Sequence, residues 1–465
     1  MRIVPAGAPI LRAADMHAAE QRCFDTGVAQ SVLMERASLA VAREVARLGA
    51  GQPVLVLAGP GNNGGDAYGA ARILHSWGLD VAVAALGRPA DGAAAANVAA
   101  WQGPVTSLEE ARPRPVLVDG LFGTGTTRPL DTAVAAQLAR LAAGAERAVA
   151  IDLPSGLATD SGADLGAPDG ITATVALGAL KPAHLIGAGL AKCGHVLLAD
   201  IGVEATTDWH SLARPRLCVP APGAHKYDRG LVVIVAGSMA GASRLAARAA
   251  LYAGAGYVIL AAPDASVGAP DAIVHRDVRG AAALAELLQD GRIGAVVVGP
   301  GLGRDESATG LLEAAIASDR DLVIDGDALS LLGDTAPARV RDRRAATLLT
   351  PHGGEFARMF DTRGDKIEAT LAAARAAGAT VIHKGADTVI AWECGKLVVA
   401  SAASSWLSTA GTGDVLAGIV AARHAAGGRA DEGVWLHGRA ARLAGPAFAA
   451  DDLIARIPLA VGECL

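Results

Sequence analysis

Short apolar runs that end in glycines or acidic residues recur along the chain, and this repeat is the feature that most constrains its fold. The runs occupy residues 53–58, 80–86, 115–119, 148–152, 231–235, 257–262, 295–299, 322–325, 348–350 and 381–383. Segments with helical periodicity separate several of them, as in residues 28–48, whose apolar side chains share one face. Alternating strands and helices form parallel sheets, which bind ligands at the carboxyl ends of their strands. The sequence therefore predicts an α/β fold with parallel sheets.

At 465 residues, with 52% hydrophobic and 19% charged residues, the chain is long enough for two or three globular domains. A net charge of -6 without a basic run argues against nucleic-acid binding as the main function. The apolar runs are shorter than the ~18 residues of a membrane-spanning helix, and the start does not resemble a signal peptide. The five cysteines lack metal-ligand spacing. We expect a cytoplasmic protein with reduced cysteines that binds neither nucleic acid nor membrane.

The alternation stops between residues 203 and 226, where Pro215, Pro220 and Pro222 exclude a continuous helix. It resumes at residue 231. We therefore predict two domains, residues 1–218 and 219–465. Each contains its own set of strands and helices, so each is expected to fold alone.

Polar loops follow the strands of the first half. Residues 59–66 form a loop with four glycines, Asn62, Asn63 and Asp66, and residues 120–129 form a second glycine-rich loop. Asp119 and Asp152 end two further strands, and the carboxyl ends of parallel strands meet at one edge of the sheet. These carboxylates are thus predicted to surround one pocket, although each alone is better explained as the cap of a loop.

The segments GNNGGD, VDGLFGTGTTRP and DLPSG resemble the YjeF N-terminal domain, the epimerase domain of bifunctional NAD(P)H-hydrate repair enzymes. The resemblance covers residues 10–210 and implies a Rossmann-like three-layer sandwich. It implies that the hydrated dinucleotide is bound by Asn62, Asn63, Gly64, Gly65, Asp66, Gly123, Thr124, Gly125, Thr126, Thr127, Arg128, Pro129 and Asp152. Asp152 would be catalytic and contact the altered nicotinamide ring, and Asn63, Asp119 and Ser155 would hold a potassium ion. Oxygen ligands suit such a hard cation. The segment 181–184 is also similar to the family, although His184 is equally compatible with a surface loop.

In the second half, residues 405–418 contain a glycine turn, Gly411-Thr412-Gly413, followed by Asp414 and an apolar helix. Free N–H groups at a helix start bind anions, and a carboxylate beside them can accept a proton during phosphoryl transfer. The alternative is that Asp414 merely caps the helix. We predict that Asp414 keeps a pKa near its ordinary value of about 4.

The segments KYDRG, GPGLG, PHGGE, HKGADT and GTGD resemble the ribokinase-like ADP-dependent NAD(P)H-hydrate dehydratases over residues 222–460. The resemblance implies that Asp414 is the catalytic base and that Gly303, His352 and Asp414 face the hydrate. It assigns the nucleotide to Lys384, Gly385, Ala386, Asp387, Thr388 and Gly413. His352 and Glu355 stand where sugar kinases carry an Asn and a Glu associated with magnesium. Alternatively, His352 satisfies buried backbone groups.

Together the resemblances imply a repair enzyme with two activities. The first domain would interconvert the R and S forms of the substrates NADHX and NADPHX, the hydrates of NADH and NADPH. The second would dehydrate the S form with ADP as co-substrate, releasing AMP and phosphate and using Mg²⁺, whereas the first would use K⁺. We expect a homo-oligomer. Two alternatives are a small-molecule kinase, of a pyrimidine or a sugar, and a first half that is a non-catalytic scaffold.

Overall fold

The computed structural model describes residues 2–89, 91–263, 270–401 and 404–465. The chain divides into two compact units, Met1–Ser211 and Leu212–Leu465. The helices of the first unit are α1 (Ala13–Asp25), α2 (Gln30–Gly49), α3 (Asn62–Ser76), α4 (Gly92–Ala100), α5 (Thr132–Ala143), α6 (Gly189–Lys192) and a 3-10 helix (Pro182–His184). Its strands are β1 (Val54–Ala58), β2 (Val81–Ala85), β3 (Val105–Ser107), β4 (Val116–Gly120), β5 (Arg147–Ile151), β6 (Ala173–Leu177), β7 (His195–Ala199) and β8 (Trp209–Ser211).

The sheet of the first unit has seven strands in the order β3-β2-β1-β4-β5-β6-β7, and every neighbouring pair is parallel. The central strands are buried along their length because helices cover both faces. From β1 the chain adds β2 and β3 on one side of the sheet, and it then returns to add β4 to β7 on the other side. The strand order therefore reverses between β1 and β4. Such a switch point leaves a crevice at the carboxyl ends of the strands. The Rossmann-like prediction is therefore confirmed.

The sequence predicted a loop over residues 59–66. This prediction is wrong from Asn62 onward, because α3 begins at that residue. A Cβ atom on Gly64 would lie 1.9 Å from the carbonyl oxygen of Gly59, and one on Gly65 would lie 2.5 Å from the Cβ of Ala94. Side chains at these positions would push α3 away from β1 and α4. The glycines are therefore explained by close packing, and they bring the first turn of α3 against the sheet edge.

The second unit is also an α/β domain. Its helices are α7 (Ala240–Tyr252), α8 (Ala281–Leu287), α9 (Glu306–Ile316), α10 (Gly326–Leu332), α11 (Ala336–Arg341), α12 (Gly353–Met359), α13 (Lys366–Ala377), α14 (Thr412–Ala425), α15 (Ala430–Ala444), α16 (Ala450–Gly462) and two 3-10 helices (Gly333–Thr335 and Ser405–Leu407). Its strands are β9 (Leu231–Val235), β10 (Tyr257–Ala262), β11 (Val274–Asp277), β12 (Ile293–Val298), β13 (Leu322–Ile324), β14 (Thr347–Leu349), β15 (Thr380–His383), β16 (Asp387–Ala391) and β17 (Leu397–Ser401).

The strands of the second unit follow the order β11-β10-β9-β12-β13-β14-β15-β16-β17. Neighbours from β11 to β15 are parallel, but β15, β16 and β17 pair antiparallel. The prediction of a wholly parallel sheet is thus wrong at this edge, because short turns join these strands where a crossover helix would be required. One core lies between the sheet and helices α7, α14, α15 and α16.

Residues 212–218 belong to the second unit, where Leu217 packs in the core and its N–H donates to the carbonyl of Cys464 at 2.9 Å. The limits of the functional domains stay a prediction. No helix in the described part of the chain is long and apolar enough to span a membrane.

We expect residues 1–211 to fold when expressed alone. Their parallel sheet and two hydrophobic clusters are formed by residues from within this range. Circular dichroism and a single cooperative thermal transition would verify this, and an insoluble or unfolded product would contradict it.

Candidate active sites

A cavity of about 760 Å³ opens at the carboxyl ends of β1, β4 and β5 in the first unit. Its lining includes most of the residues predicted to bind a dinucleotide: Asn62, Asn63, Asp66, Gly123, Thr124, Gly125, Thr126, Thr127, Arg128, Pro129 and Asp152. Gly64 and Gly65 do not line it, since they serve the packing of α3. Residues from three strand ends thus meet in one cavity, as predicted for Asp66 and Asp152, but Asp119 does not line it because this residue is fully buried.

Asp152, directly after β5, is the most constrained side chain of this cavity. Its backbone has a φ of 63°, in the left-handed region that few non-glycine residues adopt. Its carboxylate accepts hydrogen bonds from Lys181 Nζ at 2.5 Å, the N–H of Leu177 at 3.2 Å and both the N–H and the hydroxyl of Thr124. Burial would raise the pKa of Asp152, but Lys181, His184 and these donors outweigh it and lower the pKa. The carboxylate is therefore held in its ionised form.

Lys181 begins the segment 181–184, whose similarity to the family the sequence indicates, but the sequence did not assign this residue a role in the site. Its side chain is only 1% exposed and lines the cavity, forming an ion pair with Asp152. The surface-loop alternative for His184 is wrong, because this residue is fully buried. His184 Nδ1 accepts from the N–H of Lys181, and its Nε2 lies 2.6 Å from the carbonyl oxygen of Asp152. Burial lowers the pKa of His184 to about 4, so a neutral imidazole fixes both residues in place.

The three residues predicted to hold potassium lie beside one another. Asp119 is fully buried and accepts from the hydroxyl of Ser155 at 2.6 Å and from its N–H at 2.8 Å. Ser155 also bonds to the backbone of Phe122, and a Cβ on the next residue, Gly123, would lie 2.8 Å from Asn63 Oδ1. The amide nitrogen of Asn63 is buried without a partner in the described structure. Burial raises the pKa of Asp119, although the bonds from Ser155 oppose this.

In the second unit, α14 begins at Thr412 and Asp414 lies in its first turn. The N-cap residue is Gly411, with a φ of 89°, which has no side chain to cap the helix. Asp414 is therefore not the N-cap residue, and its role beyond stabilising the helix start stays a prediction. His437, which the sequence analysis missed, is buried and its Nε2 lies 2.9 Å from the carbonyl oxygen of Thr412. Burial lowers its pKa to about 4, so a neutral ring supports the turn.

Two more carboxylates and a lysine surround Asp414. Asp325, the N-cap of α10, is buried and accepts from Lys384 Nζ at 2.7 Å. Asp327 accepts from the N–H of Gly303 at 3.0 Å. Gly303, which was predicted to bind the substrate, is thus hydrogen-bonded to a carboxylate near Asp414. Burial raises the pKa of Asp414 to about 6, with further contributions from Asp325 and Asp327, while Lys384 opposes the rise. The expectation of an ordinary pKa is thus wrong, because distant segments bury this carboxylate and also bring negative charges to it.

His352 is the N-cap of α12 and is 58% exposed at its side chain. Its Nδ1 accepts from the N–H groups of Gly354 and Glu355, and Glu355 in turn accepts from the N–H of His352 at 2.9 Å. The ring therefore satisfies two backbone donors, but only Glu355 is buried and Gly354 is exposed, so the alternative of buried backbone groups is correct only in part. Nε2 lies 3.5 Å from a Glu355 oxygen, and because more than half of the side chain is exposed, the ring is accessible to a substrate.

The predicted nucleotide loop, residues 384–388, extends from the end of β15 to β16. Lys384 points toward α14, since a Cβ on Gly413 would lie 3.4 Å from its Nζ. Asp387 instead pairs with Lys366 Nζ at 2.6 Å. A cavity of about 310 Å³ lies next to the loop and is lined by Lys366, His383 and Lys384 among others. The loop thus connects this cavity with the start of α14.

Comparisons with known proteins identify the family of each unit. The family model for the YjeF-related protein N-terminus matches residues 30–183, and that for NAD(P)H-hydrate dehydratase matches residues 232–458. The bifunctional NAD(P)H-hydrate repair enzyme of Mycobacterium tuberculosis is 38% identical over 85% of this chain and 85% of its own. The enzyme of the same description from Thermofilum pendens is 33% identical over 92% of this chain and 90% of its own. The structure of an ADP/ATP-dependent NAD(P)H-hydrate dehydratase from Bacillus subtilis, co-crystallized with ATP/Mg2+, aligns with a TM-score of 0.45 and 24% identity, covering 54% of this chain and 95% of that one.

Two α/β units, each with polar side chains gathered at the carboxyl edge of its sheet, define a two-domain enzyme of the nucleotide-binding α/β class. The relatives are matched over most of their length and across both units. The chain belongs to the family of bifunctional NAD(P)H-hydrate repair enzymes.

Proposed function

We propose that the chain repairs hydrates of NADH and NADPH by two reactions. The first unit interconverts the R and S hydrates, and the second dehydrates the S form at the expense of ADP, with release of AMP and phosphate. The observation that carries this proposal is the presence of two separate carboxylate sites, one around Asp152 in the first cavity and one around Asp414 at the start of α14.

In the first unit, Asp152 is the group that accepts a proton at the ring. Its lowered pKa keeps it ionised, and the buried ammonium of Lys181 compensates its charge. The glycine-rich segment 123–129 forms another part of the cavity wall and offers hydroxyls and Arg128 to the rest of the dinucleotide. The hydrogen bonds of Asp152 with Thr124, Leu177 and Lys181 maintain its left-handed backbone. Such constrained positions are typical of functional sites.

The residues around Asp119 suit a potassium ion. The side chains of Asn63, Asp119 and Ser155 offer oxygen ligands, which suit a hard cation. The oxygen of Asn63 would face the ion, whereas its amide nitrogen, buried without a partner in the described structure, is a hydrogen-bond donor and does not bind a cation. When bound, potassium would compensate the buried carboxylate and fix the segment from Phe122 to Gly123. We therefore propose that Asn63, Asp119 and Ser155 hold K⁺.

In the second unit, Asp414 accepts the proton of the hydroxyl while the hydroxyl oxygen bonds to the β-phosphorus of ADP and AMP leaves. Phosphate then departs from the ring carbon, a proton is lost from the neighbouring carbon, and the ring double bond is restored. The free N–H groups at the start of α14, together with Lys384, would bind the phosphates. Asp325 and Asp327, whose charges act on Asp414, already pair with Lys384 and Arg304, so Mg²⁺ would be bound mainly through the phosphates of ADP.

The experiment that tests the proposal supplies mixed hydrates and ADP and follows the return of reduced-nicotinamide absorbance together with inorganic phosphate. Equal amounts of both products are expected. Accumulation of a phosphorylated substrate would instead identify a small-molecule kinase, and conversion of the S form alone would identify the first unit as a scaffold. A homo-oligomer and a cytoplasmic location stay predictions.

A further inference from the structure

Asp66 carries a buried carboxyl group that lines the first cavity and has no role in the reaction described for Asp152. It lies in the second turn of α3, lines the cavity and is 7% exposed. The hydroxyl of Ser38 donates to its backbone carbonyl at 3.1 Å and fixes the helix at this point. Within the described ranges, its carboxyl group has no hydrogen bond and no ion pair. A buried carboxylate without donors is unfavourable, and such a group takes up a proton.

The environment of Asp66 is the opposite of that of Asp152. Asp152 accepts from Thr124, Leu177 and Lys181, whereas Asp66 faces the same cavity and, among the residues that the structure describes, has no hydrogen-bond donor to its carboxyl group. Burial raises the pKa of Asp66 well above its ordinary value, and the negative charges of Asp152 and Glu20 raise it further. The charged or titratable side chains that line the cavity are His17, Glu20, Arg128, Asp131, Asp152 and Lys181. Two carboxyls with such different environments are typical of an acid and base pair.

We propose that Asp66 is the general acid of hydrate interconversion and Asp152 the acceptor of the proton. This assignment rests on the proposed epimerase function and deepens it. The carbon–oxygen bond of the ring hydroxyl breaks, the proton of Asp66 passes to the departing oxygen to form water, and the lone pair of the ring nitrogen forms a carbon–nitrogen double bond. Water then adds to the same carbon from the other face, its proton passes to Asp152, and the electron pair returns to nitrogen.

The product has the opposite configuration, and one proton has moved from Asp66 to Asp152. Exchange with solvent restores the starting protonation, and the reverse reaction uses the two carboxyls in exchanged roles. The carboxyl of Asp66 would also bind the hydroxyl as a hydrogen-bond donor. Because the rate of the step requires a protonated Asp66, interconversion by the unaltered chain should decline when the pH rises above the pKa of Asp66.

The first test is Asp66→Asn, which keeps the shape of the side chain and removes its proton. We expect kcat for interconversion to decrease by at least about 100-fold with little change in KM, and Asp66→Glu to recover part of the loss. Asp169→Asn, the same change at an exposed carboxylate of this unit, should have no effect. Circular dichroism and the thermal transition of residues 1–211 carrying each change show that the first unit of each variant is folded. A variant Asp66→Asn whose kcat is unchanged, or whose loss lies in KM alone, would overturn the assignment.

The second test detects the proton of Asp66 spectroscopically in the protein without substrate. Infrared spectroscopy of the full chain at neutral pH should show a carbonyl band of a protonated carboxylic acid that is lost in Asp66→Asn and retained in Asp152→Asn. If Asp66 contributes no such band while the unaltered chain interconverts the hydrates, the acid assignment is wrong and the proposed function stands. If the unaltered chain does not interconvert them, the proposed function is itself wrong.

Discussion

Replacing Asp152 with alanine is expected to abolish interconversion of the R and S hydrates and to leave ADP-dependent dehydration of pure S hydrate intact. The loss should be at least about 100-fold, since Asp152 is the ionised acceptor in the cavity. The change also leaves the ammonium of Lys181 buried without its partner, which costs about 3–5 kcal/mol in stability. Rates of each reaction and the thermal unfolding of the first unit are the measurements.

The double variant Asp152→Ala/Lys181→Met separates catalysis from stability. It removes both buried charges, so most of the stability should return while interconversion stays absent. If the double variant regains activity, Asp152 acts only by neutralising Lys181. If Asp152→Ala loses both reactions equally, the assignment of one reaction to each unit is wrong.

The sequence was sufficient to locate the first site because strand ends of a parallel sheet converge. The apolar runs and the polar residues that follow them therefore predicted, from the sequence alone, that Asp66 and Asp152 lie in one cavity. Lys181 and His184 were not predictable in the same way, since a 3-10 helix has too few residues for a periodic pattern. Their burial arises from tertiary packing. A lysine beside a carboxylate cannot be inferred from residues separated by 29 positions.

The electrostatics of the second site could likewise not be predicted from the sequence. The turn Gly411–Gly413 predicted the position of Asp414 at the start of a helix, and this was correct. Its pKa depends instead on burial by the folded chain and on the charges of Asp325 and Lys384, which directly follow β13 and β15 and are distant in sequence. Local composition predicts helix starts, whereas the charge balance of a site depends on the complete fold.

Replacing Asp414 with asparagine is expected to lower ADP-dependent dehydration by at least about 100-fold, or roughly 3 kcal/mol of barrier. Asparagine preserves the shape but cannot accept the hydroxyl proton. ADP affinity should change little, because the N–H groups at the start of α14 remain, and interconversion by the first unit should not change. Turnover with pure S hydrate and the binding of ADP by calorimetry measure the two effects. Full dehydration in this variant would show that Asp414 is not the base.

The pH dependence of dehydration gives an independent check of the same residue. Since the base acts in its ionised form and its pKa is raised to about 6, the rate should increase as the pH passes through about 6 and then level off. Asp325→Asn removes a negative neighbour, which lowers the pKa of Asp414 and moves this rise to lower pH. The variant also releases Lys384 from its ion pair, and the free ammonium moves the rise in the same direction. A profile that does not move in Asp325→Asn would mean that another group titrates, and the rate increase could then not be assigned to Asp414.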